Sequence, residues 1–132
     1  MSQIILDDQL FDVEVLIPIA RWTTVTRLRA LRPNEVIKDE RVPLILRELR
    51  QPTFVTIDEG FWDRKLRDVG YSILYFALTN HEQDKLPELL RRTLRLPEFR
   101  SKQARMGKVA RNSTIGIEYW EIGSGILCHI TF

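Results

Sequence analysis

The sequence predicts an α/β domain with a mostly parallel central sheet and a C-terminal β-hairpin. Short apolar runs at residues 3–6, 54–57 and 71–78 read as buried strands, and segments with apolar residues at helical spacing lie between and after them. A Gly123-Ser124-Gly125 break separates two final strand-like stretches. Strands alternating with helices favour a three-layer arrangement whose functional residues gather at the carboxyl edge of the sheet. At 132 residues and 44% hydrophobic composition, one domain spanning residues 1–132 is expected.

Each element has its own justification. Gln3-Ile4-Ile5-Leu6 is a first strand that stops at Asp7-Asp8. In residues 10–20, Leu10, Val13, Ile17 and Ala20 share a helical face, while Val13, Val15, Ile17 and Ile19 also alternate as a strand would. A helix is the preferred reading, with Pro18 delaying its start or making it irregular. Residues 23–26 are rich in β-branched side chains and read as a second strand running toward Leu31 before Pro33.

Asp39 precedes Val42, Ile45, Leu46 and Leu49 at helical spacing and reads as the N-cap of a second helix. Beyond Pro52, residues 54–57 form the third strand, bounded by Asp58-Glu59-Gly60, and the uninterrupted run 71–78 forms a central fourth. The next helix carries Leu86, Leu89, Leu90, Thr93 and Leu94 on one face and Arg91, Arg92 and Arg95 on the other. It starts at Thr79-Asn80 or at Asp84, because Pro87 suits only a first turn. Residues 101–108 read as a basic linker, and residues 115–122 and 126–132 as a hairpin.

Net charge is +2, distributed unevenly: Asp7, Asp8, Asp12 and Glu14 crowd the first twenty residues, and eight basic groups face two acids between residues 88 and 111. The single cysteine, Cys128, has no internal partner, and no secretory leader or spanning run of about 18 apolar residues is visible. A cytoplasmic protein away from membranes is therefore expected. His81, His129 and Cys128 do not make a zinc set; Ser72, Ser113 and Ser124 lack a nucleophile elbow; the glycines form no phosphate loop. Trp22, Trp62 and Trp120 read as core or hairpin packing.

The acids fall where a parallel sheet would gather them. Asp7 and Asp8 follow strand one, Asp39 opens the helix after strand two, and Asp58 and Glu59 follow strand three. Clustered carboxylates either hold protons or bind a hard cation, with Mg2+ or Mn2+ the natural occupant. Taken singly, Asp39 could be only a cap and Asp58-Glu59-Gly60 only a turn, whereas Asp7-Asp8 gains nothing for packing.

The motifs Ile4-Ile5-Leu6-Asp7-Asp8-Gln9-Leu10, Lys38-Asp39-Glu40 and Phe54-Val55-Thr56-Ile57-Asp58-Glu59-Gly60-Phe61, in that order, resemble the compact branch of the PIN-like ribonuclease family over roughly residues 3–78. The resemblance implies a metal-dependent endonuclease of single-stranded RNA, often the toxin of a toxin-antitoxin pair and a homodimer. Carried over by motif, it makes Asp7, Asp39 and Asp58 the catalytic acids and metal ligands. Asp8 joins them as a ligand, Thr56 supports Asp58, and Glu40 is a second candidate beside Asp39. Gly60 departs from the family pattern, which has a second acid there; Glu59 or Asp63 would have to substitute. Arg91, Arg95, Arg105, Lys108 and Arg111 are the basic residues expected to line an RNA path or to meet an acidic antitoxin.

Two other readings stand beside this one. A phosphoacceptor receiver domain would also place an acid pair at Asp7-Asp8, an acceptor at Asp58 and a Thr such as Thr79 after strand four, but the expected Lys-Pro pair is missing. A PIN-like scaffold without catalysis, acting by binding a partner, is suggested by Gly60.

Overall fold

The computed structural model describes residues 3–132. Seven strands form one sheet: β1 (Gln3–Leu6), β2 (Val25–Arg27), β3 (Pro52–Thr56), β4 (Ser72–Phe76), β5 (Lys108–Asn112), β6 (Gly116–Glu121) and β7 (Cys128–Thr131). Their order is β2-β1-β3-β4-β5-β6-β7. The first five run parallel, and β6 and β7 add an antiparallel hairpin.

Alternation along the central strands sends side chains to two cores. Ile4, Leu6, Val55, Leu74, Phe76 and Ala110 face one, which is closed by α1 (Ile17–Ala20) and α4 (Leu86–Leu94). Ile5, Phe54, Ile73 and Val109 face the other, beneath α2 (Leu28–Leu31) and α3 (Val42–Glu48). Trp22 packs on the first core and Trp62 on the second, as expected of them. No helix among the described residues is long and apolar enough to cross a membrane.

Residues 10–20 are helical, but as a π-helical turn, Asp12–Leu16, leading into α1. Leu16 N–H reaches back to Phe11 O at 3.3 Å. Pro18, which has no N–H, sits in the first turn of α1 where none is needed. The second strand is shorter than expected. Asp8 Oδ1 takes the Arg29 N–H at 3.0 Å, and the chain coils into α2 at Leu28 instead of continuing to Leu31. The start expected at Thr79-Asn80 is used, with Thr79 and Glu82 forming a capping box over a 3-10 stretch, Asn80–Lys85; α4 then opens at Leu86 behind Lys85 rather than at Asp84, with Pro87 in its first turn.

The segment read as a basic linker is the largest departure. It contains α5 (Lys102–Arg105) and leads directly into the interior strand β5. Arg105 is fully buried, donating to Thr53 Oγ1 at 2.8 Å and Phe99 O at 2.9 Å. Lys108 Nζ is likewise drawn inward, onto Glu98 O and Ala104 O at 2.8 Å each. These cations satisfy carbonyls that the connection leaves unpaired, so hydropathy alone mistakes them for a solvated face.

Candidate active site at the carboxyl edge

The strand pairing fixes where each acid emerges. Leu6 pairs Val55, so Asp7 leaves β1 beside Thr56 at the end of β3. Thr56 Oγ1 donates to Asp7 Oδ2 at 2.6 Å and accepts the Asp58 N–H at 2.9 Å. Asp7 is additionally held by its own N–H on Val55 O and by the Asp8 N–H on its Oδ1. Thr56 thus supports Asp7 and Asp58 together, whereas the resemblance links it to Asp58 alone.

Asp39 opens a 3-10 turn, Asp39–Arg41, that leads into α3. The cap position belongs to Lys38, and the Asp39 side chain caps nothing, which corrects the expected N-cap. Its carboxylate instead lies beside Asp58, near enough for the two to share a hydrogen bond. Asp58 keeps its turn role as well, accepting the Gly60 N–H on Oδ1 at 2.9 Å. A Cβ at residue 60 would stand 3.2 Å from that oxygen, so glycine leaves room for the carboxylate to fold against the backbone.

The electrostatics record the convergence. Burial pushes the Asp7 carboxyl above the ordinary range; the hydrogen bonds from Thr56 and Asp8 oppose it, and the charges of Asp8 and Asp39 add to it. Asp39 is raised by burial first, then by Asp58 and Glu40. Three connections that are distant in sequence therefore bring Asp7, Asp39 and Asp58 within each other's field.

The secondary candidates separate. Asp8 is turned toward Arg29, where it ties the start of α2. Glu40 is exposed beside Asp39. Asp63 is spent on the Lys65 N–H, at 2.9 Å, as the cap of a 3-10 turn, Arg64–Leu66. Glu59 is exposed and acts on Tyr75, so of the two substitutes for Gly60 it is the one facing the site.

The basic candidates divide more sharply. Arg105 and Lys108 are buried and satisfied by carbonyls, so neither lines a surface path. Arg91 on α4 and Arg95 at its C-terminal cap are exposed, with Arg91 over the Trp22 ring at 5.7 Å, on the core face opposite the acids. Arg111 shares the sheet face of the acids, paired with Tyr75 across β4 and β5. Tyr75 is the residue that sequence reasoning missed. Inside an apolar strand it looks like core, and only its register opposite Thr56 gives its hydroxyl a polar neighbourhood.

Among the described residues no three His, Cys, Asp or Glu side chains stand close enough together to enclose a metal ion unaided. The donor chemistry nonetheless suits a hard cation: oxygen ligands only, two of them raised by burial first and then by neighbouring negative charge. In comparisons with family models, curated proteins and solved structures, the chain matches none.

Proposed function

We propose that the protein is a PIN-like, divalent-metal-dependent endoribonuclease that hydrolyses phosphodiester bonds of single-stranded RNA. The observation that carries this reading is the assembly of Asp7, Asp39 and Asp58 at one carboxyl edge, with Thr56 bridging the first and last. A toxin role with a cognate antitoxin, a homodimeric state and a cytoplasmic setting come with the resemblance of the three sequence motifs.

Asp7, Asp39 and Asp58 are the side chains that would hold Mg2+ or Mn2+. The ion, when bound, would supply water activation and neutralise charge on the departing oxygen. The chain's own contribution is placement. Thr56 fixes the Asp7 carboxylate, the Gly60 N–H fixes one oxygen of Asp58, and Asp39 stands exposed at the rim beside them. Asp39 is thereby positioned to take a proton from water approaching the rim.

The strand order β2-β1-β3-β4-β5 gives the receiver reading its support, since doubly wound receivers share it. The lysine of β5 tells against it: Lys108 lies at the amino end of that strand, away from Asp58, and the basic residue at its carboxyl end is an arginine, Arg111. A PIN-like scaffold that binds metal without cutting remains the third reading.

The test is cleavage of a mixed RNA pool by wild type and Asp58→Asn, in Mg2+ or Mn2+ against EDTA. Metal-dependent cutting that the variant loses is the expected result. No cutting with metal bound would point to the non-catalytic scaffold, and acetyl phosphate labelling of Asp58 would point to the receiver.

A further inference from the structure

The pairing registers place one polar row across six strands. Asp7 stands beside Thr56, Thr56 pairs Tyr75, Tyr75 pairs Arg111, Arg111 pairs Glu118, and Glu118 pairs His129. All six belong to the same face, because Val55, Ala110 and Ile117, their strand neighbours, point into the opposite core. With strands about 4.8 Å apart, the row crosses roughly 24 Å of sheet from the acids to His129.

Three features suggest that this row accepts a ligand. Tyr75 is 8% exposed, and its hydroxyl, which makes no hydrogen bond among the described residues, reaches the surface rather than being sealed in the core. Arg111 makes a 3.5 Å contact with Glu118 Oε1 and no hydrogen bond among the described residues, so most of its guanidinium donors are unused. At the carboxyl end of β5 lies a concavity of about 350 Å3, lined by Arg111, Glu118 and His129 from the polar row and by the apolar Ile115, Ile117 and Ile130. Arg64 and Arg67 close the far end of this face, over the Trp120 ring and on Glu121 O, and leave the carboxyl-edge end open.

We propose that this concavity is a nucleotide subsite of the RNA substrate, with Arg111 and Tyr75 donating to a phosphate of the strand on its way from the acids and the β6–β7 face holding the attached nucleoside. The proposal rests on the ribonuclease reading for its substrate and adds direction to it: the strand leaves the acids toward β7, not toward α4. Glu118, flanked by Arg111 and by His129 at 3.7 Å, holds the guanidinium in place and offers an acceptor to a base edge.

The experiment measures binding apart from cutting. A fluorescein-labelled ten-nucleotide oligouridylate is titrated with the full chain in EDTA and read by anisotropy, for wild type, Arg111→Gln, Tyr75→Phe and Arg50→Gln. Arg50 is exposed just before β3, at the amino end of the sheet, and serves as a charge-matched control. Arg111→Gln should weaken binding roughly tenfold and Tyr75→Phe about threefold, with Arg50→Gln within about twofold of wild type. Equal losses in all three, no loss in the first two, or no binding by wild type would overturn the subsite. Unchanged far-ultraviolet circular dichroism and melting in Tyr75→Phe, which removes an unpartnered hydroxyl, excludes unfolding as the cause. Binding that depends on Arg111 in a protein that never cuts RNA with Mn2+ would overturn the ribonuclease reading and leave the subsite standing.

Discussion

Thr56 and Asp7, 49 residues apart in sequence, are joined by a 2.6 Å hydrogen bond from the threonine hydroxyl to the carboxylate. The same hydroxyl accepts the Asp58 N–H, so one fully buried side chain sets the positions of two acids. A parallel pairing of β1 with β3 brings them together, and no local sequence feature could do so.

Thr56→Val keeps the shape and removes the hydroxyl. It leaves the Asp58 N–H without its partner and Asp7 Oδ2 without its donor, at a cost of about 1–3 kcal/mol. Urea denaturation should show that loss, and RNA cleavage should fall more steeply than in Thr56→Ser, which retains the hydroxyl. A stable Thr56→Val with wild-type cleavage would refute the bridging role.

Asp7→Asn should melt above wild type at pH 7. The folded protein raises the Asp7 pKa above its ordinary value of 3.8, so it binds the proton more readily than the unfolded chain does. That contribution is fully present below 3.8 and is lost as pH rises through the folded value. The amide escapes the loss, so its advantage should grow with pH and vanish in acid, as melting scans across pH would show. Cleavage should be abolished in the same variant, the pattern expected where a functional acid is kept at a cost in stability.

Arg105→Met should destabilise the fold by about 3 kcal/mol, because Thr53 Oγ1 and the Phe99 carbonyl lose a buried charged donor. Burial lowers this arginine only to about 10, so it remains charged at neutral pH. Oligonucleotide affinity of the fraction still folded should be unchanged, separating a structural cation from a surface one.

Gly116→Ala places a Cβ 2.4 Å from Ile130 O, where β7 crosses close to β6. The backbones must move apart, at about 1–3 kcal/mol. Hydrogen exchange should show faster opening at residues 128–131, while β1, β3 and β4 stay protected.

Sequence alone determined the α/β class, the strands that carry Asp7 and Asp58, the helix behind Asp39 and the closing hairpin, because apolar periodicity and turn residues are local signals. Tertiary structure decided the rest. β2 ends early where Asp8, from the turn after β1, takes the Arg29 N–H. β5 was hidden because Arg105 and Lys108, which look solvated in one dimension, turn inward to carbonyls supplied by residues 98–104. Tyr75 joined the site only through its register with Thr56 and Arg111. Which charges are buried and which side chains share a row depends on strand pairing across the whole chain, and that information belongs to no single segment.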